Sequence, residues 1–115
     1  MFTHTTVFAV SVRKVTGVGM VMKAIKINGR ICWPTETPGL VVFAEPTDNG
    51  WWRWCIALER GLVAVTHMRT RNIALEAARA LGQVTNWDRD ADEIRYDMPT
   101  ITNTVKALID DYHGR

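Results

Sequence analysis

Between residues 28 and 61 the chain is cut repeatedly by residues that turn a backbone or cannot join a ladder, and this punctuation constrains the fold more than any other feature. Asn28-Gly29 is the strongest short hairpin signal, because both central residues of a type I′ turn need positive φ. Pro34 and Pro38 bracket a loop, since proline has no N–H to give to a strand partner. Thr47-Asp48-Asn49-Gly50 is turn chemistry again, and Glu59-Arg60-Gly61 reads as a three-residue hairpin loop with glycine in the left-handed region. What lies between is short and rich in β-branched and aromatic residues: Met20 to Ile27, Arg30 to Trp33, Leu40 to Ala44 (stopping before Pro46), Trp51 to Leu58 and Leu62 to His67. These segments predict antiparallel strands. Thr6 to Lys14, where Phe8, Val10 and Val12 alternate, predicts another.

Leu40 to Ala44 is continuously apolar, as suits a strand buried on both faces. Along Trp51 to Leu58, successive side chains must point to opposite faces, so Trp51, Trp52 and Trp54 cannot all enter one core. Closing Leu58 against Leu62 sets Arg53 opposite His67 and Cys55 opposite Val65. Trp52, Trp54, Ile56, Leu58, Leu62 and Ala64 then face the core, while Trp51, Arg53, Cys55, Ala57, Val63, Val65 and His67 share the other side.

Past residue 70 the period changes. Thr70 is a suitable N-cap for a helix over Arg71 to Leu81, which Gly82 would end. Its apolar face is mostly alanine: Ala74, Ala77, Ala78 and Ala80, with Ile73 and Leu81. Asp88 to Asp97 is ambiguous, because Ile94, Tyr96 and Met98 alternate as in a strand. After Pro99, which fits a first helical turn, Ile101, Val105, Leu108, Ile109 and Tyr112 recur at helical spacing until Gly114. Strands followed by helices predict one α+β domain over residues 1–115, with an antiparallel sheet of about five strands in the N-terminal half and two helices in the C-terminal half.

Length and composition agree with a single core. The 115 residues are 47% hydrophobic and 23% charged, the balance of a globular chain rather than a disordered one. No apolar run is long enough to span a bilayer, and Met1 to Thr6 lacks the basic residues of a signal peptide. No membrane association is expected, and the expected compartment is the cytoplasm. Cys32 and Cys55 show no CxxC spacing and read as buried free thiols. Net charge is only +2, yet it is unevenly spread, with Asp88, Asp90, Asp92, Glu93, Asp97, Asp110 and Asp111 concentrated at the C-terminal end.

No motif for catalysis, a cofactor or a metal survives inspection. Gly17-Val18-Gly19 lacks both the third glycine of a dinucleotide loop and the Gly-Lys-Ser/Thr of a P-loop. Asp88-Arg89-Asp90-Ala91-Asp92 opens like a calcium loop, but Glu93 stands where glycine is needed and Pro99 where the bidentate glutamate should be. Cys55 and His67 are neighbours but offset in the expected register, which favours a buried thiol and an edge histidine over a nucleophile and its base. Cys32, Cys55 and the scattered histidines form no recognised zinc spacing.

Residues 41 to 87 combine a strand, an Asp48-Asn49-Gly50 turn, a Trp-rich strand and Thr70-Arg71-x-x-Ala74-Leu75-x-x-Ala78 opening a helix. In this they resemble HicB-type antitoxins. They depart from that family at Glu59-Arg60-Gly61, which a further strand follows, where the family has a Leu-Pro-Gly-like segment before its helix. Similar hairpin-and-helix modules occur in many small bacterial and mobile-element proteins.

The leading expectation is therefore a non-catalytic binding protein, an inhibitor or adaptor in a bacterial, phage or plasmid setting, that docks a protein partner through Trp51, Arg53, His67 and Trp33. Aromatic and guanidinium groups together are typical of binding hot spots. One alternative is nucleic-acid binding by Arg13, Lys14, Lys23, Lys26 and Arg30, with an exposed tryptophan stacking on bases. Another is an acidic surface, built from the seven carboxylates named above, that imitates nucleic-acid phosphates. A homodimer is compatible with any of these.

Overall fold

Among the described residues, every strand pairs with its neighbour in the chain. A computed structural model of the protein describes residues 5–7, 24–48 and 52–115. In it β1 (Thr5–Val7), β2 (Ile25–Ile27), β3 (Arg30–Pro34), β4 (Leu40–Pro46), β5 (Trp52–Leu58) and β6 (Ala64–Met68) form one antiparallel sheet in the order β1-β2-β3-β4-β5-β6. Two helices follow, α1 (Arg71–Leu81) and α2 (Ala91–His113). The α+β architecture, with its sheet in the N-terminal half and helices toward the C-terminus, is the one the punctuation predicts. The expected Thr6 to Lys14 strand lies outside the described residues beyond Val7, as does Gly17-Val18-Gly19.

The β2–β3 hairpin forms as its turn chemistry requires. Asn28 and Gly29 take φ of 51° and 83°, and Ile27 pairs with Arg30. At β4 the strand is longer than expected: it runs through Pro46, which lies opposite Trp52.

The β5–β6 hairpin departs from the expected register twice. Its loop has four residues, since Leu58 N donates to Val63 O at 2.8 Å, and both Gly61 and Leu62 sit at positive φ. A β-bulge follows: Ala57 pairs with Ala64 but Ile56 with Thr66, so Val65 is the extra residue. Each change slips the pairing by one position. Together they preserve which face His67 shares but move it from Arg53 to Cys55. Between the two slips the expected facing fails. Val65 packs against the core beneath the helices, and Leu62 against the opposite one.

Both faces of the sheet bury apolar side chains. Leu40, Val42, Ile56, Leu58 and Met68 meet Ala74, Ala77, Ala78 and Leu81 of α1, together with Trp87, Ile94 and Val105. On the reverse face Ile25, Ile27, Cys32, Val41, Phe43, Cys55 and Ala57 form a second cluster. Leu40 through Phe43 are all buried, as a continuous apolar strand implies.

Alanines let α1 lie close to the sheet. Thr70 caps it, its Oγ1 accepting from Ile73 N at 3.1 Å. Gly82 ends it without the left-handed turn expected of a terminal glycine, at φ −60°. Space explains this glycine: a Cβ there would stand 2.3 Å from Thr37 Oγ1, which donates to Ala78 O at 2.7 Å. Trp87, fully buried, donates from Nε1 to Leu81 O at 2.8 Å and closes the turn between the helices.

The acidic segment is helical from Ala91 onward. α2 is continuous over 23 residues with Pro99 inside it rather than at its start. Ile94 and Met98 extend the apolar stripe of Ile101, Val105, Leu108 and Ile109 by two turns, so helical periodicity outweighs the short alternation. Pro99 and Arg95, whose carbonyl loses its helical donor, are exposed, where water can replace the missing bond. Among the described residues no helix is long and apolar enough to cross a membrane.

Candidate functional site

The four-residue loop and the bulge of the β5–β6 hairpin together gather a carboxylate, a thiol and an imidazole on one face of the sheet. Phe43 and Glu45 on β4, Arg53 and Cys55 on β5, and His67 on β6 all project from the face opposite the helices, as the pairings Phe43–Cys55, Glu45–Arg53 and Cys55–His67 require. There His67 Nε2 lies 2.7 Å from Glu45 Oε1, and the donor atoms of Glu45, Cys55 and His67 all lie within 4.8 Å of one another. Cys55 has no exposed surface, whereas the His67 and Glu45 side chains are 28% and 37% exposed.

The thiol is not built for nucleophilic attack. Burial, and then the Glu45 carboxylate, push Cys55 up to about 12 despite the opposing charges of Arg30 and Arg53. Cys32, at no exposure, is pushed up to about 11, first by burial. Both cysteines are free and buried, as their apolar context predicts.

Of the expected partner-binding residues, the structure brings two together. Arg53 and His67 line one concavity with Arg69, Thr70, Tyr112 and His113. His113 Nε2 donates to His67 O at 2.9 Å, tying the end of α2 to the sheet edge. Trp33 belongs elsewhere: paired with Val42, it faces the helices, and the Arg71 guanidinium lies 5.0 Å from its ring centre. It therefore shares no surface with Arg53 and His67. Trp51 lies outside the described residues. The reverse face is not an open patch around Cys55 and Ala57, because both are buried in the second cluster.

The basic and acidic surfaces are also divided. Arg13, Lys14 and Lys23 lie outside the described residues. Lys26 and Arg30 point to opposite faces, since Lys26 pairs with Ile31 and Arg30 with Ile27. Arg30 covers the Phe43 ring at 4.5 Å. Among the acids, Asp88 and Asp90 meet Arg60, Asp92 meets Arg95, Asp97 meets Arg89 and Asp111 meets Arg115. Such local neutralisation works against a phosphate-like field, though Glu93 and Asp110 are also exposed.

A second concavity was not legible in the sequence. An apolar trough of about 270 Å³ runs between the end of the sheet and α2, lined by Leu58, Val63, Ala64, Val65, Trp87, Ala91, Ile94, Arg95, Met98, Val105 and Ile109. Its strand-side wall is β6 and the loop before it, and Val63 is 40% exposed at its rim. Only the bulge at Val65 and the helical acidic segment bring these walls together.

No family model, curated protein or solved structure matches the chain, so the resemblance to HicB-type antitoxins gains no support from these comparisons.

Proposed function

We propose that this protein is a non-catalytic docking module whose trough between β6 and α2 receives an extended, apolar segment of a protein partner. The observation that carries this reading is the position of the trough beside the last strand of the sheet. A terminal strand offers backbone groups on its outer edge, and an adjoining apolar channel takes alternate side chains of an added segment, which is how strand addition achieves affinity and selectivity. Val63 and Ala64 are exposed at the entrance.

Selection from a displayed peptide library tests it. Enriched sequences should be extended, with apolar residues at every second position, and Val63→Asp should abolish their binding while leaving the thermal unfolding transition in place. Failure to enrich any such sequence, or binding indifferent to Val63→Asp, removes the reading.

An anionic ligand is the second reading, favoured by one observation: Arg53, His67, Arg69 and His113 share a concavity. A nucleic-acid ligand would bind a fluorescent single strand with steep salt dependence. Absence of binding at low salt removes it.

A further inference from the structure

The geometry points to a metal site: we propose that Glu45, Cys55 and His67 bind one borderline-soft divalent ion, zinc being the best fit. The three residues come from adjacent strands and supply one carboxylate oxygen, one sulfur and one imidazole nitrogen. Thiolate and imidazole together select zinc and its neighbours over calcium or magnesium, which prefer oxygen alone.

The spacing fits this chemistry with a small adjustment. Around a tetrahedral zinc, with bonds of about 2.0 Å to nitrogen and oxygen and about 2.3 Å to sulfur, ligand atoms stand roughly 3.3 to 3.6 Å apart. The donor atoms here lie within 4.8 Å, inside the range that small side-chain rotations can correct. At 2.7 Å, Glu45 Oε1 and His67 Nε2 are closer than two ligands of one ion and form a hydrogen bond instead. An entering ion replaces that bond: the Nε2 proton of His67 passes by way of solvent to Nδ1, the two groups separate by about half an ångström, and the Cys55 thiol releases its proton to solvent as the metal–sulfur bond forms. Entry is from the His67 and Glu45 side, because both are partly exposed whereas Cys55 is not. Three protein ligands leave the fourth position to water.

The site is independent of the trough, which lies on the helix side of the sheet. It is also absent from any sequence motif, since its three ligands are separated by 10 and 12 positions and meet only because the four-residue loop and the bulge together place His67 opposite Cys55.

Titration of the chelator-treated full chain with cobalt(II) tests the proposal. One equivalent should produce a thiolate-to-cobalt charge-transfer band in the near ultraviolet and the visible bands of a four-coordinate ion, both removed by added zinc. Cys32→Ser should keep the charge-transfer band and Cys55→Ser should lose it. Glu45→Gln and His67→Gln should each weaken binding by at least about tenfold. Should Cys55→Ser fail to fold, the double variant Glu45→Gln/His67→Gln, altered only at partly exposed positions, decides the matter by losing the band. A folded wild-type protein with no charge-transfer band overturns the proposal. So does a band that survives Cys55→Ser or the double variant, or cobalt absorption lacking a thiolate component, as from surface histidines such as His113.

Discussion

Cys32 has no exposed surface, and its pKa is raised from the ordinary 9.0 to about 11 because the buried site disfavours the thiolate. A thiol whose folded pKa exceeds its unfolded one binds its proton more tightly in the native state. Its stabilising contribution is complete below pH 9 and is lost as pH rises through about 11. Urea unfolding across that window should show a stability loss on the order of 2 kcal/mol that is smaller in Cys32→Ala, other alkaline groups being common to both proteins. Gly39 makes a second residue-scale prediction. It sits at φ +91°, and a Cβ there would lie 2.4 Å from Trp87 O and 2.5 Å from the Asp88 backbone. Gly39→Ala should therefore destabilise the protein by roughly 2 kcal/mol or more, read as a lowered thermal midpoint, because backbone cannot yield as a flexible side chain can. At this scale the sequence was readable where chemistry left one choice. Asn28-Gly29 admits a tight turn, and two isolated cysteines in apolar strands admit burial. It was unreadable at Leu62, whose φ of 53° is a conformation that leucine seldom adopts and that packing against the second cluster accompanies.

Among the elements, the helix α2 shows how tertiary burial overrides a local breaker. Proline in a helix interior costs about 3 kcal/mol, but Ile94 and Met98 on its N-terminal side are packed into the core, and ending the helix at Pro99 would forfeit that burial. Pro99→Ala should stabilise the protein by about 1 to 3 kcal/mol in denaturant unfolding, because Pro99 is exposed and its replacement restores a donor to the Arg95 carbonyl. The helix α1 was legible from Thr70 to Gly82 because its cap and period agree, although Gly82 marks its end by the space it leaves for Thr37 rather than by a left-handed turn. The acidic segment was not, since three alternating apolar residues fit a strand until the neighbouring stripe is joined to them. The candidate metal site was hidden for a related reason: neither a bulge nor one extra loop residue leaves a mark in composition, yet together they decide what stands opposite Cys55.

At the scale of the whole molecule, the described residues form two apolar clusters divided by one sheet, and adjacent residues of β4 serve different ones. Val41 belongs to the reverse-face cluster and Val42 to the cluster beneath the helices. Val41→Ala and Val42→Ala should each cost about 2 kcal/mol, and their sum should match the double variant within about 0.5 kcal/mol despite their adjacency. Strong coupling in that cycle would mean that the sheet transmits strain between its faces. The unbroken strand order carries a consequence for how the protein is made. Because each described β-strand hydrogen-bonds to those before and after it, pairing among them can advance along the nascent chain without waiting for a remote partner. Contacts of such short sequence separation are associated with rapid folding, leaving the helices to seal a sheet already laid down.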